Sequence, residues 1–574
     1  DVLLSVAARA RATLPNAAAT YYDYLRATWQ REVVPVAGGA GAGFEQFWED
    51  ALKNGGVLVG AAGAAPAGGA GAGAAAPALN PAGLAQLKLQ PATFDGGRAA
   101  DELVLIAYPS YRFYDGRTAD RPWLQELPDP VNKVTWTSVL EISPVMGNRL
   151  GLDDGHMVEL TTPNGKVTLP VWRHPGMRPD VVALQIGQGH VGFGRYADGM
   201  GANVTKLLAP VTDPASGALV WQQLKATVKP TGEWTRLPLQ NLVKTESGRT
   251  ITREMTLADV RAVEAGGVAA AGAVAHEPAA PGEPGEKAVS EEHIDVAGNP
   301  KDKVVHELQA AGGFAPAAVK AGPAGYPPPG TYYGEYSQEQ PRWALAIDME
   351  RCIGCSACTT ACYAENNIGI VGPEQVARGR ILHWIRIERY FEGKNAETAP
   401  THVNFLPMMC QQCGNAPCEP VCPVYAAYHT PDGLNGQIYN RCVGTRYCAN
   451  NCSYKVRYFN WFTWQWPEPL NWQLNPDVGV REKGVMETCT FCVQRIRDAQ
   501  NQARLQGRGV HDGEIVPACA QTCPGEAIVF GNVKDPNSRV AQIAASGRGY
   551  RVLEELNTQP GVTYLKRVVD AVEA

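Results

Sequence analysis

All fifteen cysteines of this 574-residue chain lie between Cys352 and Cys523, in four groups. The first is Cys352, Cys355, Cys358 and Cys362, spaced C-x2-C-x2-C-x3-C. The second is Cys410, Cys413, Cys418 and Cys422, with Pro423 following. The third is Cys442, Cys448 and Cys452. The fourth is Cys489, Cys492, Cys519 and Cys523, with Pro524 following. Thiolates at this spacing are ligands for cubane iron–sulfur clusters. A tight loop holds three corners, and a distant cysteine, usually before proline, supplies the fourth.

The third group aligns with the first. Arg351-Cys352-Ile353-Gly354-Cys355 matches Arg441-Cys442-Val443-Gly444-Thr445, so Thr445 stands where the first motif has its second cysteine. The second and fourth groups also match, each opening C-x2-C and closing C-x3-C-P. The region is an internal duplication. Four four-ligand motifs less one corner account for all fifteen thiols. Structural zinc usually takes two separated ligand pairs, for which a C-x2-C-x2-C run is a poor match. Disulfides favour an even count and none of this spacing.

In two-cluster ferredoxins the last cysteine of each motif serves the other cluster. Cys362, Cys422, Cys452 and Cys523 are therefore expected to cross over. The spacing leaves two pairings open: sequential (first motif with second, third with fourth) or nested (first with fourth, second with third). Under either, the cluster beside Thr445 has only three thiolates.

The elements around these motifs predict an α+β multidomain chain. Residues 1–95 hold helical pieces and then a Gly/Ala-rich loop over 53–94. Tyr21, Tyr22, Leu25 and Trp29 share one helix face, as do Phe44, Phe47, Trp48 and Leu52. Residues 96–255 read as mostly β. Leu103 to Ala107 is a strand, and His156 to Thr161 with Lys166 to Val171 alternate around Pro163-Asn164-Gly165 as a hairpin. Val181 to Ile186 leads into a loop with Gly187, Gly189, Gly192 and Gly194, more often a tight turn than a phosphate cradle. Residues 256–341 read as a linker. The cysteine domain is expected over 342–534, with a hairpin from Tyr425 to Thr430 and Gln437 to Asn440, and a helical tail over 535–574.

The net charge of −6 gives no argument for nucleic acid. No secretory signal is visible, and the start at Asp1 reads as the middle of a longer polypeptide. The uncharged run from Gly60 to Ala78 contains only Gly, Ala and Pro, too weakly apolar to span a bilayer. No C-x-x-C-H motif occurs, so any haem belongs to a partner.

The stretch from Val134-Thr135-Trp136 through Asn148-Arg149-Leu150-Gly151-Leu152 to Gly201-Ala202-Asn203 resembles the molybdopterin-dinucleotide-binding β-barrel domain of molybdopterin oxidoreductases. That implies a six-stranded double-psi barrel. With no cysteine before 352, no cysteine ligand to molybdenum is available here.

The cysteine domain resembles the four-cluster ferredoxin-like subunits of polysulfide and dimethyl sulfoxide reductase complexes. That resemblance implies nested pairing. One [4Fe–4S] cluster would take Cys352, Cys355, Cys358 and Cys523. A second would take Cys489, Cys492, Cys519 and Cys362, and a third Cys410, Cys413, Cys418 and Cys452. A [3Fe–4S] cluster would take Cys442, Cys448 and Cys422, with Thr445 at the vacant corner. The fusion of both halves, with Arg441-Cys-Val-Gly-Thr-Arg-Tyr-Cys-Ala-Asn-Asn-Cys452, is similar to the iron–sulfur subunits of bacterial alternative complex III. This implies a peripheral electron-transfer subunit on the periplasmic face, in respiration or photosynthesis. Its partners would be integral membrane quinol-binding subunits and multihaem and monohaem c-type cytochromes, and its barrel would be a scaffold without molybdopterin. Two rivals remain: an electron module fused to a molybdenum catalyst, and a scaffold with structural clusters.

Overall fold

The computed structural model describes residues 18, 20–36, 43–53, 102–209, 211, 220–222, 224–240, 243–247, 249–264, 340–393, 395, 400 and 402–569. Nearly all of the expected loop at 53–94, and residues 265–339 of the linker expected over 256–341, lie outside them. The chain divides into two units, 1–91 and 92–574.

In the first unit, a helix over Tyr21–Thr28 starts where the Thr20 hydroxyl accepts the Asp23 N–H at 3.1 Å. A second helix spans Phe44–Lys53. Trp48 is buried edge-on against Trp29, with ring centres 5.2 Å apart. The expected stripes are only partly covered, since Tyr21 and Leu52 are 56% and 62% exposed. A short helix pair can enclose one large aromatic side chain but not two whole faces.

The second unit opens with a closed six-stranded barrel. Its strands are β1 (Leu103–Pro109), β2 (Leu140–Ile142), β3 (His156–Thr162), β4 (Gly165–Arg173), β5 (Val181–Ile186) and β6 (Leu224–Trp234). The spatial order is β1-β5-β2-β4-β3-β6, and antiparallel pairing of β1 with β6 closes the ring. Alternation decides which side chains fill it: Leu105, Val158, Leu160 and Leu184 point into one core. The β3–β4 hairpin turns at Pro163-Asn164, with Thr162 opposite Gly165. In the glycine-rich loop, a Cβ on Gly189 would lie 2.0 Å from the Asn203 nitrogen. Close backbone packing therefore accounts for that glycine.

Beyond the barrel, β7 (Glu254–Thr256) and a helix over Leu257–Glu264 occupy what reads in sequence as the start of the linker. The cysteine domain is built on β8 (Trp343–Asp348). Two hairpins follow, β9 (Ile385–Glu392) with β10 (His402–Met409), and β11 (Ala427–His429) with β12 (Asn435–Gln437). The second hairpin is shorter than expected, because the chain around Tyr425 and Tyr439 turns to carry Cys422 and Cys442. A short pair, β13 (Tyr458–Phe459) and β14 (Met486–Glu487), precedes β15 (Ile528–Asn532), which lies antiparallel to β8.

The tail corrects the expectation of a helical segment. Among its described residues are one α-helix, Arg539–Ala544, β16 (Gly549–Tyr550), a single 3-10 turn over Glu554–Leu556, β17 (Val562–Leu565) and β18 (Arg567–Val569). β17 runs parallel to β8, and β18 parallel to β7. Val562 and Tyr564 are fully buried. A strand buried on both faces has no alternation to reveal it, so its apolar run does not read as a strand.

Barrel and cysteine domain pack together within this unit. The buried Glu126 carboxylate accepts the Trp136 indole N–H at 2.6 Å and the backbone N–H groups of Val371 and Gly372, both at 3.2 Å. Trp123 donates to the Ile368 carbonyl at 3.0 Å, and Arg389 to the Val131 carbonyl at 2.8 Å.

Candidate iron–sulfur centres

The duplication seen in the sequence is repeated in the backbone. Gly354 and Gly444 take φ values of +70° and +73°, which turn each loop back on itself. A Cβ on Gly354 would strike the Phe405 ring at 2.5 Å, and one on Gly444 the Gly484 carbonyl at 2.4 Å. Ser356 and Arg446 then adopt left-handed conformations, and a helix starts at the next residue of each: Ala357–Glu365 and Tyr447–Asn451. These helices carry Cys358 and Cys448, with Cys362 inside the first and Cys452 just after the second. The two Cys-Pro turns also match. The Ala426 N–H donates to Cys422 Sγ at 3.1 Å, and the Ala527 N–H to Cys523 Sγ at 3.3 Å.

Burial is the largest influence on almost every cysteine that titrates abnormally, and the next influences show which thiols are neighbours. Cys352 is pushed up to about 11 by burial, with Cys523 and Cys355 adding to it. Cys358 is raised by burial, then by Cys519, Cys352, Cys355 and Cys523. Cys362 is raised by burial, then by Cys489, Cys492 and Cys519. Cys413 is raised by burial and by Cys410, Cys418 and Cys452. Cys418 is pushed up to about 12 by burial, with Cys410 and Cys452 contributing. Cys448 is raised by burial, with Cys442 and Cys422 contributing.

Four neighbourhoods result: Cys352, Cys355, Cys358 and Cys523; Cys362, Cys489, Cys492 and Cys519; Cys410, Cys413, Cys418 and Cys452; and Cys422, Cys442 and Cys448. In the last, the three thiols and Thr445 line one cavity with Gln437 and Met486. Thiols of different neighbourhoods also act on one another, ahead of thiols of the same one for Cys358 and Cys489. Cys519 acts on Cys358 and joins the first to the second. Cys410 acts on Cys489 and joins the second to the third.

Such crowding is unfavourable for free thiolates, because each charge raises the cost of the next in a low-dielectric interior. A polycationic iron core removes that cost, since a coordinating thiol is deprotonated outright. The donor set therefore fits iron–sulfur clusters. Among the described residues, no three His, Cys, Asp or Glu side chains are placed to hold a single metal ion. Cluster thiolates surround a cage of several irons, not one point. Cys422 differs from the rest. Burial raises it, but N–H groups of Ala427, Val424 and Ala426 outweigh burial and hold it below the usual thiol range.

Some residues at the centres carry no sequence signal. Asn366 donates to Cys362 Sγ at 3.4 Å; only its place four residues further along the chain could have indicated it. Arg457 and Lys133 are buried beside thiols without any motif. Tyr111, from the barrel domain, donates its hydroxyl to the Cys355 carbonyl. The barrel and the cysteine domain together line a cavity of about 650 Å³, with Ser138 and Arg236 of the barrel and Glu374 and Arg378 of the cysteine domain in its wall.

A six-stranded barrel joined to a duplicated cysteine domain of this geometry defines an iron–sulfur protein of ferredoxin-like class. Known families match in the same order. Residues 103–220 match the Molydopterin dinucleotide binding domain, and residues 351–426 and 401–468 match 4Fe-4S dicluster domains. The chain is 42% identical over 231 residues to the iron–sulfur cluster-binding subunit of menaquinone reductase from Nitratidesulfovibrio vulgaris, covering 39% of this chain and 89% of that one. It is 35% identical over 225 residues to a Halobacterium salinarum protein named as a dimethyl sulfoxide reductase iron–sulfur subunit, covering 39% and 78%. It is 34% identical over 249 residues to the Hdr-like menaquinol oxidoreductase iron–sulfur subunit 1 from Archaeoglobus fulgidus, covering 40% and 86%. The chain belongs to this family of electron-transferring iron–sulfur subunits of oxidoreductase complexes.

Proposed function

We propose that this chain carries three [4Fe–4S] clusters and one [3Fe–4S] cluster, one in each cysteine neighbourhood, with nested ligand sets. The observation that carries this reading is the cavity where Cys422, Cys442 and Cys448 meet Thr445. Threonine is a poor iron ligand beside thiolate, so that site holds three irons. Each cluster supplies one-electron storage and transfer. The protein's contribution is burial, N–H donation to sulfur and charge, which together set each potential.

The direction is quinol to cytochrome. Electrons leave quinol in an integral membrane partner, arrive first at the Thr445 site, pass from neighbourhood to neighbourhood, and depart to c-type cytochromes. Two of the relatives are named for a menaquinone reductase and a menaquinol oxidoreductase, which supports a quinone partner in either direction. The surface at the Thr445 site exposes Tyr425, Val443 and Tyr447, at 62%, 63% and 59%, beside the exposed Arg441 and Arg446. Ile353 is equally exposed at the position matching Val443, so the two tyrosines and Arg446, where the first motif has the buried Ser356, set the Thr445 end apart. Among the described residues no helix is long and apolar enough to cross a membrane. The subunit is of alternative complex III type, on the periplasmic face, with the barrel as scaffold.

The cavity of about 650 Å³ lined by the barrel and the cysteine domain favours a second reading, in which the barrel serves a molybdenum catalyst. Electron paramagnetic resonance on the intact complex, with iron and molybdenum assayed on the same sample, separates the two. A three-iron signal on oxidation, cubane signals on reduction and no molybdenum are expected. Stoichiometric molybdenum would establish the second reading.

A further inference from the structure

Arg457 is buried at the seam between the third and fourth neighbourhoods, just ahead of β13. Its guanidinium has two anchors. One N–H donates to Gln437 Oε1 at 2.7 Å, and another donates to the side-chain carbonyl of Asn435. Gln437 lines the cavity shared by Cys422, Cys442, Cys448 and Thr445. Asn435 Oδ1 lies 3.8 Å from the Cys418 sulfur, on the other side. One cation is thus tied into both sites.

Both anchors are neutral amides. A buried guanidinium held only by amides is costly unless opposite charge lies close by. The charges that act on it are thiolates: Cys418, Cys410 and Cys452 of the third neighbourhood, and Cys448 of the fourth. A fixed positive charge beside a cluster favours the form with one more electron, and so raises its potential.

We propose that Arg457 is a shared tuning residue, one buried charge that raises the potentials of the third- and fourth-neighbourhood clusters together. Sharing is what matters for transfer. A cation beside one cluster alone would make that cluster an electron trap, whereas a cation that acts on two raises both and changes the step between them less. No proton or bond change accompanies the step. The inference rests on the four-cluster reading.

Redox-poised electron paramagnetic resonance on the intact complex tests it. Arg457→Gln is expected to lower both midpoints enough to change the reduced-to-oxidised ratio at fixed potential about tenfold, which is 59 mV for one electron. The clusters of Cys352 and Cys489 should keep theirs. Arg457→Lys, which retains the charge, should restore most of the shift. Should Arg457→Gln fail to assemble, Gln437→Glu decides: it keeps the arginine, sets a carboxylate against it, and should lower the same two midpoints. Shifts of equal size in all four clusters, or no shift with full iron content, would overturn the proposal. So would a lysine variant that matches the glutamine one. A wild-type complex without four clusters would instead overturn the reading beneath it.

Discussion

The Asn366 side-chain amide donates to the Cys362 sulfur at 3.4 Å and to the Cys362 carbonyl at 3.1 Å. It is buried, so water does not compete for either contact. A hydrogen bond to a charged group contributes roughly 1.5–3 kcal/mol, and here it favours the electron-rich cluster. Asn366→Leu should lower the midpoint of the cluster held by Cys362, Cys489, Cys492 and Cys519 by about 59 mV or more, while the other three stay in place. Potentiometric titration of the complex checks this.

Thr445→Cys should complete the fourth corner. Iron content should rise by one per chain, the oxidised three-iron signal should disappear, and quinol oxidation should slow as the potential falls. Thr445→Ala should leave the spectrum as it is, because a non-ligand is removed. Unchanged spectra in Thr445→Cys would dismiss Thr445 as the vacant corner.

Cys422→Ala discriminates the two pairings. With nested sets it removes a ligand from the three-iron site, and that signal alone is lost. With sequential sets it damages a cubane built on the first motif and leaves the three-iron signal intact. Spectra of the oxidised and reduced variant decide between them.

Glu126 joins the barrel to the cysteine domain, and burial pushes its carboxyl up to about 7, against the donors Trp136, Val371 and Gly372. Between its ordinary value and about 7, the unfolded chain releases the proton and the folded chain keeps it. Stability contributed by this group is therefore present at low pH and lost as pH rises through that window, by up to ~3 kcal/mol. Melting temperature should fall from pH 5 to pH 8 more steeply in the wild type than in Glu126→Gln. Parallel curves would mean that the carboxyl does not titrate in this range.

The cysteine domain is legible in the sequence because its signal is local. A C-x2-C-x2-C loop closes over a short stretch whatever the rest of the chain does, so the duplication and the lost corner at Thr445 can be read directly from the residues. The barrel's β3–β4 hairpin is legible for the same reason, since alternation and a Pro-Asn turn are short-range features. What stays hidden depends on distance along the chain. Cys352 meets Cys523 only after β8 has paired with β15, Cys410 meets Cys452 across a long stretch of chain, and spacing leaves that choice open. β17 is concealed because burial on both faces erases periodicity. Arg457, Asn366 and Glu126 look like ordinary polar residues in the sequence. Their roles come from burial beside sulfur or between domains, where the low dielectric magnifies a single charge or hydrogen bond, and only the tertiary structure creates that setting.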